Sequence, residues 1–197
     1  MVKLNESRRL GVSRESLCIT AALLLALCAN GQADQSDPKL DELFVQLRAA
    51  TNPIVAKQVG REIWAIWQQA PNDTAVQIMR NSRSALDNRD FNSAIRFLDQ
   101  LVTFAPEFAE AWNQRAIVLY FAEDYSGSLR DIEQTLALEP RHFGAMAGRG
   151  QVYLQLNELE FALQAFESAL DLNPWVGDIR GHVHAIRARM SARQKPI

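Results

Sequence analysis

The sequence predicts an all-α fold: a solenoid of helical hairpins closed at both ends by capping helices. Three observations carry this reading. Pro106, Pro140 and Pro174 fall 34 residues apart, and a fixed period of that size marks a repeat architecture. The block before each proline places apolar residues at helical spacing, as in Leu129, Ile132 and Leu136 or Leu163, Phe166 and Leu170. No stretch shows the sustained alternation of a half-buried strand.

Each element follows from its residues. Proline cannot continue a helix and disfavours the helical state before it, so the blocks FNSAIRFLDQLVTFAP, YSGSLRDIEQTLALEP and LEFALQAFESALDLNP all stop at their prolines. The blocks upstream align at the same offset: Ile78 with Trp112 and Met146, Ser82 with Ala116 and Gly150. Small residues recur at the second set because two helices must cross closely there. Between the helices lie NRD, AED and LNE, ending on Asp90, Asp124 and Glu158. A carboxylate at a helix start accepts backbone N–H bonds and complements the helix dipole.

The segments from Ala109 to Pro140 and from Phe143 to Pro174 resemble the tetratricopeptide repeat. Met146, Gly150, Tyr153, Ala162, Phe166 and Pro174 match its pattern of a large apolar residue, a small one, an aromatic, then Ala, Phe and Pro. Ser128 and Ile132 replace the usual Ala and Phe in the second repeat. The first, Ala75 to Pro106, matches with Ile78, Ser82, Ala85, Ala94, Leu98 and Pro106 but lacks the large aromatics at the pattern's own positions. The resemblance implies a right-handed stack with three repeats at 75–108, 109–142 and 143–176. Residues 34–74 read as an N-terminal degenerate hairpin acting as a cap, and 177–197 as a C-terminal capping helix with Ile179, Val183 and Ile186 inward.

Residues 1–33 read differently. A basic segment with Lys3, Arg8, Arg9 and Arg14 precedes an uncharged apolar run of 13 residues, 17–29, and a small polar exit with Ala33 before Asp34. That order describes a secretory signal peptide cut after Ala33. As a helix the run would span roughly 20 Å against about 30 Å of bilayer hydrocarbon, short for an anchor, although anchoring through 17–29 is the alternative. Cys18 and Cys28, the sequence's two cysteines, lie in this leader. A chain cut after Ala33 therefore holds no thiol, which suits an oxidising compartment. The resemblance to short exported bacterial repeat proteins implies the periplasm.

With a formal charge of −2 over 197 residues, 48% hydrophobic and 22% charged, nothing global points to nucleic acid. Function is therefore expected on the surface that the repeats create. The resemblance implies that the first helix of each hairpin lines a concave face that holds a protein or peptide. At the 34-residue offset Arg80 maps to Gln114 and Gly148, Arg83 to Ile117 and Gln151, and Asp87 to Phe121 and Gln155. Asn113 and Ala147 face roughly the same way. Gly144, Ala147 and Gly148 are expected to leave room for a ligand backbone, so Gly144→Leu should spare the fold where Gly150→Leu damages it. The plain alternative for each residue is a solvated polar helix face. One subclass clamps a terminal carboxylate with Lys, Asn and Arg. Of the corresponding residues only Arg83 and Gln114 fit, so that clamp is not expected.

Arg115 and Arg149 stand where the repeat usually has Leu. Either they ligate an anion, or both pair structurally with Asp131, the preferred reading because a half-buried guanidinium wants a carboxylate partner. No nucleophile elbow, phosphate loop or metal spacing appears. His182 and His184 point to different sides of one helix, and His142 is expected to be exposed. Neither catalysis, cofactor, metal nor small-molecule substrate is expected. Membrane contact is expected only through the leader or a partner. As a second reading, the chain is a structural subunit held through its caps, by Trp64 and Trp67 or by the basic end with Arg180, Arg187, Arg189, Arg193 and Lys195.

Overall fold

The computed structural model describes residues 37–193; the expected leader, its expected cut between Ala33 and Asp34, and Lys195 lie outside them. Among the described residues there are nine helices and no strand: α1 (Lys39–Ala49), α2 (Pro53–Trp67), α3 (Asp73–Asp87), α4 (Phe91–Phe104), α5 (Ala109–Phe121), α6 (Tyr125–Leu138), α7 (Phe143–Gln155), α8 (Leu159–Leu172) and α9 (Ile179–Arg193). None of them is long and apolar enough to cross a membrane.

The pairs α3–α4, α5–α6 and α7–α8 are joined by the same turn. Arg89, Glu123 and Asn157 take left-handed φ values of 59°, 62° and 60°. The next residue then donates its N–H back five residues, Asp90 to Ala85, Asp124 to Leu119 and Glu158 to Tyr153, each at 2.9 Å. This closure satisfies the end carbonyls of the first helix. Asp90 and Asp124 then cap the second helix, accepting from the backbone N–H of Ser93 at 3.0 Å and of Gly127 at 2.8 Å. Glu158 makes no such bond.

Within each hairpin the small slot meets the large one. Gly150 faces Phe166, and a Cβ built on it would stand 2.5 Å from the ring. In the second repeat Ala116 and Ile132 share a core at the equivalent positions, and Ser128 Oγ donates to the Ala116 carbonyl at 2.8 Å. Helix α9 buries Ile179, Val183 and Ile186 against Leu159, Ala162, Phe166 and Ala169 of α8. Its arginines are engaged: Arg187 with Glu167, Arg189 and Arg193 with Asn157, Arg180 over the Trp175 ring.

The N-terminal hairpin departs from the expected cap. Its apolar face, Leu40, Leu43, Phe44, Leu47, Ile63 and Trp67, shares one core with Phe143, Leu172, Trp175 and Val176 of the last repeat. No residue of α3 or α4 belongs to that core. Asp41 pairs with Arg141, which also pairs with Glu139 at 3.1 Å and lies over the Phe44 ring at 4.9 Å. The physical reason is aromatic supply. The first repeat turns Phe108 and Phe91 into its own core, whereas the third offers Phe143 and Trp175 to the aromatic-rich face of the hairpin.

Candidate binding groove

Two cavities lie along the first helices, and they are the same site in successive repeats. One, of about 470 Å³, sits between α3 and α5 and includes Ser82, Arg83, Leu86, Asp87, Leu98 and Gln114. The other, of about 200 Å³, sits between α5 and α7. There Ala116, Ile117, Tyr120, Phe121, Ile132 and Gly148 occupy the positions 34 residues later. Repetition of the backbone repeats the hollow, and substitution changes its chemistry. The first is rimmed by the exposed guanidinium groups of Arg80 and Arg83, with Gln68 of the N-terminal hairpin alongside. The second is walled by Ile117, Tyr120, Ile132 and Val152.

The expected groove residues divide. Arg80, Arg83 and Asp87 are exposed at the first cavity, with Arg83 and Asp87 4.0 Å apart. Ile117, Phe121, Gly148 and Gln151 line the second, and Gln151 touches His182 of α9 at 3.2 Å. Gln155 donates to the Tyr120 hydroxyl at 3.1 Å. Gln114 lines the first cavity and donates to Glu110. Ala147 is half-buried against the core of the last hairpin.

Two residues need correction. Asn113 lines the second cavity but is buried at its base, with its amide donating to Glu110 at 2.9 Å. Gly144 lines the second cavity as expected, but it leaves no room for a side chain: a Cβ there would meet the Trp64 ring at 2.6 Å. Gly144→Leu therefore clashes, contrary to expectation. Trp64 belongs to the N-terminal hairpin, and nothing in the repeat period announces that it lies over Gly144.

His142 is likewise fully buried rather than exposed. Its Nδ1 accepts the Ala145 backbone N–H at 3.0 Å, which leaves the proton on Nε2, facing Glu110 at 3.3 Å. Trp67 covers this pair, its ring stacked on His142 and its Nε1–H donated to Glu139 at 3.3 Å. Sealed under the indole, the pair ties α5 and α7 to the N-terminal hairpin. Among the described residues no three His, Cys, Asp or Glu side chains gather as for a metal.

Arg115 grips Asp131 with two parallel bonds, Nε at 2.7 Å and an Nη at 2.8 Å, and reaches Asp99 at 2.8 Å. Hydrogen bonding to Asp131 raises its already high pKa further. Arg149 does not share this pairing and makes no ion pair among the described residues. The reason is local: Asp131 is occupied by the fork of Arg115, and Ala165 stands in its place one repeat later.

The sequence reading missed the cavity floor, Leu98 and Ile132, although their 34-residue relation was in view. It also missed the anchor of Glu110, Glu139 and Arg141, for which no local signal exists.

Comparison with known proteins agrees with this geometry. A family model described as tetratricopeptide repeat matches residues 113–174. A TPR repeat-containing protein of Rhizobium etli is 34% identical over 141 residues, covering 71% of this chain and 69% of that protein. The Sgt2 TPR domain of Aspergillus fumigatus superposes with a TM-score of 0.60 at 15% identity, over 66% of this chain and 89% of that one. The first TPR of Spaghetti (RPAP3), solved bound to the HSP90 peptide SRMEEVD, gives 0.57 at 18% identity, over 60% and 94%. The shared hairpin period, the matching family model and a relative this similar over most of both chains place the protein in the tetratricopeptide-repeat family.

Proposed function

We propose that the protein is an exported scaffold that holds an extended segment of a partner protein along its concave groove and catalyses no reaction. One observation carries the reading: two equivalent cavities on successive first helices, from Arg83 to Gln151, form a serial track of the kind that solenoids offer to extended ligands. The RPAP3 domain of similar fold, solved with a peptide bound, supports it by analogy. The leader pattern and thiol-free remainder of the sequence support export, with the periplasm as destination. The second reading, attachment through the caps, has less support: Trp67 is buried and Arg187, Arg189 and Arg193 are engaged within the chain, while Trp64 is partly exposed and Lys195 lies outside the described residues.

Site-specific photo-crosslinking in cells tests the binding half. A photoreactive residue at Gln151 should trap a discrete partner segment, and one at Phe161, exposed on α8, should not. The reverse pattern would move binding to the outer face. N-terminal sequencing of the exported protein should begin at Asp34. An intact Met1 in membranes would instead support anchoring through 17–29.

A further inference from the structure

We propose that the groove selects segments in which an acidic side chain lies about three residues from a bulky apolar one. This rests on the reading of the groove as a partner-binding track and names what it reads. The cavity between α5 and α7 holds about 200 Å³ among Ile117, Tyr120, Ile132 and Val152. An apolar cavity of about 150 Å³ suffices for a benzene ring. The hollow therefore takes one leucine- or phenylalanine-sized side chain. Gly148 keeps it open: a Cβ there would touch only Ile132, at 3.8 Å.

The equivalent cavity one repeat earlier is wider and carries the opposite chemistry. Arg80 and Arg83 are both exposed on it, and Arg80 makes no ion pair among the described residues. Asp87 meets Arg83 only at 4.0 Å, with both side chains about 70% exposed, so it does not neutralise the site. Gln68 adds an amide at the rim, while the Gln114 amide is held by Glu110. Planar guanidinium groups of this kind pair with a carboxylate through two hydrogen bonds.

The spacing follows from the repeat. Packed helices stand about 8–10 Å apart, and an extended chain advances about 3.3 Å per residue. Side chains seated in equivalent cavities of adjacent repeats therefore lie about three residues apart. Trp64 closes the far wall at Gly144, so the track has two seats. A terminal carboxylate is not required, because the cation sits on side-chain positions of α3 rather than at a closed end.

Fluorescence polarisation on the purified protein tests this, with labelled ten-residue peptides acetylated and amidated at their ends. One carries Glu and Leu three apart in a Gly/Ser background. Controls space them by one or six, or replace Glu by Gln or Leu by Ser. The spaced pair should bind at least tenfold tighter than every control. Gly148→Leu should abolish that binding with no loss of melting temperature, and Arg80→Glu with Arg83→Glu should erase the preference for Glu over Gln. Spacing-insensitive binding, binding only of peptides with a free C-terminal carboxylate, or a self-associated protein that Gly148→Leu turns monomeric would each overturn the proposal. If the paired peptide fails while a photoreactive residue at Gln151 traps a segment lacking the pair, the selectivity falls and the groove reading stands. If Gln151 traps nothing and Phe161 does, both fall.

Discussion

The indole of Trp67 lies flat on the imidazole of His142, ring centroids 4.2 Å apart and planes 15° apart. Two elements that are 75 residues apart in sequence meet there. Around this stack the Asp41–Arg141 pair, the Glu139 hydrogen bond and Phe143 fasten the N-terminal hairpin to the third repeat. That attachment turns the hairpin from an end cap into a wall of the groove.

Trp67→Ala should therefore cost about 3–5 kcal/mol, the usual range for deleting a buried aromatic. Hydrogen exchange should show the loss concentrated in α1, α2 and the start of α7, with α4 and α5 little changed. Uniform deprotection of all helices would contradict the attachment described.

Alanine at the three glycines of α7 should separate them by what each Cβ meets. At Gly150 it stands 2.5 Å from Phe166 and at Gly144 2.6 Å from Trp64, so both should lose about 1–3 kcal/mol on urea unfolding. At Gly148 it meets ordinary contact only, and the better helix former should gain about 0.5–1 kcal/mol. Equal losses at all three would mean that the helix faces are misassigned.

Arg115 and Arg149 hold the same repeat position but should behave unequally. Asp131→Ala strands the Arg115 guanidinium, 18% exposed, and should cost roughly 3 kcal/mol, near the low end for a broken buried pair because Asp99 remains. A double-mutant cycle should find that coupling between Arg115 and Asp131 and almost none between Arg149 and Asp131. Comparable couplings would contradict the single fork.

Asp124 caps α6, and the backbone N–H of Gly127 holds its carboxyl below the ordinary value of 3.8, with Ser126 and Arg130 adding to the effect. A depressed carboxyl contributes stability above its unfolded pKa and loses it as pH falls through the folded value. Asp124→Ala should cost about 1 kcal/mol at pH 7. The penalty should shrink below pH 3.8, checked by unfolding at both ends of that range. A pH-independent penalty would argue against a charged cap.

Much of the fold was legible because the repeat is written locally. The 34-residue recurrence of Pro140, of the Ala116 slot and of the Asp124 cap each needs only neighbours within one hairpin. The groove was legible in part for the same reason: Arg83 and Ile117 mark equivalent seats. What escaped was long-range. Neither Trp64 over Gly144 nor Trp67 over His142 has a period, so composition assigned the glycine to open space and the histidine to solvent. The αL residues Arg89 and Glu123 were also silent, since glycine is the usual marker of that conformation.

The groove itself is tested most directly by Gly148→Leu, read in one paired experiment of thermal melting and crosslinking from Gln151. The side chain enters the cavity between α5 and α7 without displacing a neighbour at its Cβ. The account predicts a melting temperature equal to or above that of the unchanged protein and loss of the crosslinked partner segment. A variant that melts normally and still crosslinks that segment would contradict it.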